Sequence, residues 1–289
     1  MAAPAPTMSG PPTEGRGWTA HLELEVVRRG EQVVPGRRGH VGPLRLQRPF
    51  YPEGLDWPHL YLLHPPGGVV GGDRLEMEVS VRRAASALVT TPAAQKLYRS
   101  LGPVSVQRAV LEVEEGAALE WLPAETLVFD GAHARQDTAV RLASGAAFLG
   151  WEVVGLGRPA SQLAFSRGEL ALGIDIRRGG APLFVDRLRL RGGSAALDEA
   201  WGMAGATVLG TLYCVPARSE GLAPLVEAVR GVSSEPDVRA AATALEDLVV
   251  VRALGPMIEP VRRWLARAWS ELRPRVLGRP AVPPRIWSC

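Results

Sequence analysis

Residues Pro65 to Asp73 read Pro-Pro-Gly-Gly-Val-Val-Gly-Gly-Asp. The four glycines let the chain reverse with positive φ or approach another backbone closely, and they deliver one carboxylate, Asp73, to the start of the next segment. A second polar concentration follows at Thr90-Thr91-Pro92-Ala93-Ala94-Gln95-Lys96-Leu97-Tyr98-Arg99. Hydroxyls, a phenol, a guanidinium and the chain's single lysine crowd one turn there, as in a recognition surface or a polar channel. Lys96 is the exception among 33 basic residues, a compact ammonium where every other position carries a planar guanidinium. Carboxylates beside glycine turns or strand ends, namely Asp73, Glu120, Glu125, Asp130 and Glu152, suit weak, exchangeable oxygen ligation of a cation.

Stronger chemistry is missing from the sequence. Gly67 to Asp73 is not a phosphate cradle, because no Gly-Lys-Ser/Thr follows and Leu75 to Val81 alternates like a strand where a helix would be required. Gly155-Leu156-Gly157-Arg158-Pro159-Ala160 fits a dinucleotide turn in outline and leaves an NAD(P)-dependent oxidoreductase as an alternative, but Pro159 spoils the helix that would carry the pyrophosphate. There is no G-x-S-x-G, H-E-x-x-H or C-x-x-C, and only five histidines. The expectation is no catalytic residue, no tightly bound cofactor and no closed metal cage.

The elements that must position these residues are mostly strands. The chain has 289 residues, 46% of them hydrophobic and 22% charged, with a formal net charge of +3. Acids and bases are interleaved, which gives no footprint for nucleic acid, and no apolar run is long enough for a membrane span. Two cysteines, Cys214 and Cys289, give no disulfide framework, so the expected location is the cytoplasm. Residues 1–17, rich in proline and glycine, read as a disordered arm, and 18–289 as one β-rich domain. From Trp18 to Val215 the period is two, with turn signals about every ten residues. That spacing leaves no room for crossover helices, so a large stacked or sandwich β-sheet body is expected rather than a parallel βαβ sheet. No repeat of fixed length is visible. A helix is expected at Leu222 to Val229 and another from Val261 to Leu272 between Pro260 and Pro274. Val238 to Leu245 reads as either helix or strand, and Leu248 to Leu254 as a strand. A β-sandwich ligand-binding module is the other alternative, though aromatics amount to only 6%.

At its two polar clusters the sequence resembles the urease accessory protein D family, also called H. The resemblance extends in order through Leu119 to Glu125, Phe129 to Ala132, Trp151-Glu152, Gly157-Arg158 and Pro284 to Trp287. It departs at Gln162-Leu163, where the family places Gly-Glu. The resemblance implies a non-enzymatic maturation scaffold that binds apo-urease together with the F and G accessory proteins. It also implies that nickel in transit reaches the urease site through the complex, along an internal polar tunnel. On that reading Asp73, Glu125, Asp130, Glu152 and His64 line the passage, with Thr90, Thr91, Tyr98 and Arg99 in its polar wall and Lys96 tuning its potential. Trp264, Trp269, Arg285, Ile286 and Trp287 are then the candidate partner surface, since aromatic and arginine anchors dominate interfaces.

Overall fold

The computed structural model describes residues 17–218 and 221–288. The expected arm, apart from Gly17, and Cys289 lie outside them. Among the described residues seventeen strands follow one another: β1 (Thr19–Arg29), β2 (Gln32–Val41), β3 (Arg45–Leu46), β4 (His59–Leu63), β5 (Arg74–Val81) and β6 (Ser86–Thr90). Next come β7 (Gln95–Leu97), β8 (Ser105–Val113), β9 (Ala118–Leu122), β10 (Thr126–Val128), β11 (His133–Leu142) and β12 (Ala147–Leu156). The last are β13 (Glu169–Arg178), β14 (Ala181–Arg191), β15 (Val208–Val215), β16 (Arg239–Leu245) and β17 (Leu248–Gly255). They form a seven-stranded sheet in the order β14-β13-β11-β8-β5-β1-β2 and a ten-stranded sheet along β16-β17-β15-β12-β9-β6-β4-β3, with β7 and β10 to one side. The body is mainly β and stacked, as expected.

Its strand direction was not expected. β1, β5, β8, β11 and β13 are parallel neighbours, and so are β4, β6, β9 and β12. Parallel pairing needs a long crossover, usually a helix; here the crossover is a strand of the opposite sheet. Arg74 lies opposite Val106, Val106 opposite Arg135, and Arg135 opposite Ala171, so successive coils span 32, 29 and 36 residues. Unequal coils explain why no fixed repeat shows in the sequence.

The two ends of the coils differ. At one end the chain turns from sheet to sheet through four-residue corners at 82–85, 114–117 and 143–146. The third residue of each corner has positive φ: Ala84 at 56°, Gly116 at 68° and Gly145 at 70°. At the other end the connections are long, 64–73, 91–104, 123–132 and 157–168, and they contain the motifs picked out above.

Alternation buries one face of each strand between the sheets, where Leu22, Val79, Leu111 and Val140 meet Leu62, Val89, Leu119 and Phe148. The outer face of the larger sheet is covered by α2 (Ala223–Arg230) and α3 (Ile258–Leu277), after a single turn α1 (Ala195–Asp198). At 20 residues α3 is about 30 Å long, not short. Pro274 lies inside it and does not end it. The stop is Gly278, left-handed at φ 65°, whose N–H bonds the Pro274 carbonyl. The Ala-rich ambiguous segment is an edge strand, β16. After Gly157 there is only a three-residue 3-10 turn, Pro159–Ser161, so the dinucleotide alternative lacks its helix.

Candidate functional site

Between the sheets, towards the long-loop end, lies a chamber of about 170 Å³. Its wall is largely apolar, with Leu62, Leu75, Met77, Phe148 and Ile174, but His64, Thr91, Gln95, Gln107, Thr126, Gln136, Glu152 and Tyr213 interrupt it. Gln107 and Gln136 are register partners on β8 and β11. The Gln136 amide donates to Gln107 Oε1 at 2.9 Å and to Thr126 Oγ1 at 3.2 Å. Gln107 is 9% exposed, and its Nε2 has no acceptor among the described residues. A space of this size has room for several waters beside these polar side chains.

Glu152 closes the inner end. Its Oε1 accepts the Tyr213 hydroxyl at 3.0 Å. Burial pushes the carboxyl up to about 7; the Tyr213 hydrogen bond and Arg252 oppose that shift and Asp186 adds to it. Burial and the facing Glu152 likewise push the Tyr213 phenol well above its ordinary value. Beyond Glu152 a small void of about 20 Å³ reaches the Asp186–Arg252 ion pair.

A wider groove of about 550 Å³ opens outside, lined by Trp18, Asp73, Tyr98, Arg99 and Leu101. His64 and Leu75 line both groove and chamber, which puts the imidazole at their junction. Burial lowers the His64 pKa, against the pull of Asp73, and so favours a neutral ring, whose Nδ1 lies 3.5 Å from the Gln95 amide nitrogen. Asp73 locks the glycine loop: Oδ1 accepts Trp18 N–H at 2.8 Å and Oδ2 accepts Val70 N–H at 2.9 Å. The loop then pairs with β7, Val69 N–H donating to the Lys96 carbonyl and Tyr98 N–H to that of Val69. A Cβ at Gly68 would fall 2.2 Å from the Tyr98 ring, so any other residue there would displace that ring.

The chamber thus gathers His64, Thr91 and Glu152 from the sequence-predicted residues, and Asp73 stands in the adjoining groove. The others lie elsewhere. Glu125 pairs with Arg262 at 3.3 Å. For Asp130 burial works upward, but hydrogen bonds from Arg167 and Ser166 outweigh it and hold the carboxyl at about 2. Thr90 is buried and donates to the Leu122 carbonyl at 2.6 Å. Lys96 alternates with Gln95 on β7; its register partner is Leu127 on β10, which in turn pairs with Gly155 on β12. Tyr98 and Arg99 flank the outer groove. Among the described residues no three His, Cys, Asp or Glu side chains come together in a metal-holding group.

Two expectations need correction. Trp264 and Trp269, at 5% and 0% exposure, are packed into the sheet and leave no surface for a partner. Arg285 is exposed, whereas Trp287 is half-buried, stacked on Trp151 at 5.0 Å and edge-on to Trp269 at 5.4 Å. Glu120 lies under α3, away from the chamber. There it accepts Trp57 Nε1 at 3.0 Å and Trp269 Nε1 at 2.7 Å and pairs with Arg273 at 2.9 Å. Arg273 also pairs with Glu53 at 2.7 Å, and Glu53 with His59 at 2.7 Å, all of them buried.

Sequence reasoning missed Gln107, Gln136, Thr126 and Tyr213. A signal existed, since Gln107 shares its strand face with Leu111 and Val113, and Gln136 shares its face with Val140 and Leu142. A polar residue in an apolar register position marks a wet interior.

Known proteins resemble the chain over nearly its whole length. The family described as UreD urease accessory protein matches residues 19–288. The urease accessory protein UreD of Alkalilimnicola ehrlichii is 45% identical over 273 residues, covering 94% of this chain and 92% of that protein. That of Azoarcus sp. is 44% identical over 271 residues, 94% of each chain, and that of Hahella chejuensis 38% over 287 residues, covering 96% of this chain and 92% of its own.

Proposed function

The chain belongs to the UreD urease accessory protein family, and from that premise we propose that it is a non-enzymatic scaffold which, with the F and G accessory proteins, holds apo-urease and passes nickel towards its active site. The observation that carries this reading is the chamber between the sheets, whose apolar wall is interrupted by polar side chains, entered beside His64 and closed by Glu152. Nickel is cargo here. Its route runs from the groove at Asp73, past His64, along the Gln95, Gln107, Thr126 and Gln136 side chains to Glu152. Single imidazole, amide, hydroxyl and carboxylate ligands in sequence favour exchange over retention, whereas a thiolate cage would trap the ion. Neutral His64 offers a lone pair once its long contact with the Gln95 amide is released, and Glu152, with a pKa near neutrality, gives up its proton readily as a cation approaches. Glu125 and Asp130 are committed to arginines and stand off this route. Among the described residues no helix is long and apolar enough to cross a membrane; the proposed place of work is the cytoplasm.

The test is urease activation in cells making urease and its accessory proteins, with this chain supplied as wild type, His64→Ala or Glu152→Leu. Each variant should still co-purify with its partners and melt as a folded protein, while activated urease falls at least tenfold. Full activation by a folded Glu152→Leu chain would remove the route through the chamber.

A further inference from the structure

The long-loop end carries another groove, of about 430 Å³, that the chamber route does not use. Its floor is Phe129, with Tyr98 set edge-on at 5.1 Å between ring centroids and the Arg158 guanidinium 5.0 Å above the ring. Arg99 crosses Gly131 on the adjoining wall, where a Cβ would stand 3.0 Å from Arg99 Cγ. The far lip is pinned. Arg158 N–H donates to the Leu163 carbonyl at 2.7 Å and Leu163 N–H returns a bond to the Arg158 carbonyl at 3.2 Å, around Gln162 in left-handed backbone at φ 56°. That turn leaves Leu163 45% exposed at the rim.

Asp130 is the one carboxylate on this wall, and its acceptor sites are taken. Oδ1 accepts Ser166 N–H, Ser166 Oγ–H and Arg167 N–H at 2.8 to 2.9 Å, and Oδ2 accepts Arg167 Nη2 at 3.0 Å. Neither Arg99 nor Arg158 has an ion-pair partner among the described residues, whereas Arg167 beside them is paired with Asp130. Two guanidiniums, an aromatic floor and an aliphatic rim therefore face one groove whose single carboxylate, Asp130, is already bonded to Ser166 and Arg167.

We propose that this groove docks an acidic peptide segment of another protein, with a carboxylate held between Arg99 and Arg158 and a neighbouring aliphatic side chain against Leu163 and Phe129. Charge and shape both select that occupant. Guanidinium presents paired donors to a carboxylate. A small free oxyanion between two exposed arginines stays in high-dielectric solvent and gains little, whereas a peptide that roofs the groove excludes water and strengthens the same contact. The apolar rim would go unused by an ion alone. This inference does not depend on nickel passing through the chamber.

The experiment is calorimetric titration of the full chain with a capped pentapeptide carrying one glutamate between two leucines, and with its glutamine counterpart. The glutamate peptide should bind saturably and the glutamine peptide at least tenfold more weakly. Arg99→Gln and Arg158→Gln should each weaken the glutamate peptide at least tenfold at an unchanged melting temperature, since both side chains are exposed. Equal binding of the two peptides, or no binding of either at millimolar concentration, overturns the proposal. So does acetate binding as tightly as the peptide, which would reduce the site to one for a simple anion. The peptide comparison on the wild-type chain decides even if one variant fails to fold.

Discussion

Glu152 illustrates how much one buried side chain can do to the behaviour of the whole. Folding raises its carboxyl from 4.5 to about 7, so the folded chain holds that proton more tightly than the unfolded one. The resulting stability is complete below about pH 4.5 and is lost as pH climbs through about 7, amounting to about 3 kcal/mol at roughly 1.4 kcal/mol per unit. Glu152→Gln keeps an acceptor for the Tyr213 hydroxyl but cannot ionise. Urea midpoints measured at pH 5 and pH 8 should therefore differ less for Glu152→Gln than for wild type. An equal difference in the two proteins would remove Glu152 as the source. Glu152 could be picked from the sequence as a carboxylate in an apolar strand, whereas its partner Tyr213 could not. The bond between them joins β12 to β15, whose pairing depends on tertiary structure.

The strands were the most legible elements because each keeps one face dry. β1 and β8 follow the alternation closely, whereas β6, β9 and β15 are buried on both faces, and Pro35, Gly36 and Gly39 interrupt the pattern of β2. Parallel direction was not legible, since alternation reports which face is buried and says nothing of strand sense. The corner turns allow a sharper statement. Equivalent positions hold Gly116, Gly145 and Ala84, and alanine bears a steric cost in left-handed backbone that glycine does not. Ala84→Gly should stabilise the chain by about 1 kcal/mol, net of the extra freedom glycine gains when unfolded. Its converse, Gly116→Ala, should destabilise by a similar amount, and thermal melts of the pair read both. An Ala84→Gly melting point below wild type would mean that the corner is not strained.

At the scale of the molecule, α3 is fastened to the larger sheet by a buried ionic clasp as well as by apolar packing. Arg273, Glu120, Glu53 and His59 join residues from opposite ends of the sequence, which is why no local pattern announced them. Removing one member leaves uncompensated charge in the interior. Arg273→Ala should cost about 3–5 kcal/mol in chemical denaturation, while replacing Arg273, Glu53 and Glu120 together by Met, Gln and Gln should recover much of the loss. A loss below about 1 kcal/mol for the single variant would show the clasp to be solvated.

The alternation of strands between the sheets has one more consequence. Every coil stitches the two layers together through a four-residue corner, so the layers cannot part like the halves of a shell. Tightly packed interiors also compress little. The bore between the layers is accordingly set by side chains alone, and on the proposed route a hydrated ion wider than that bore would advance only by trading its waters, one after another, for the groups along the wall.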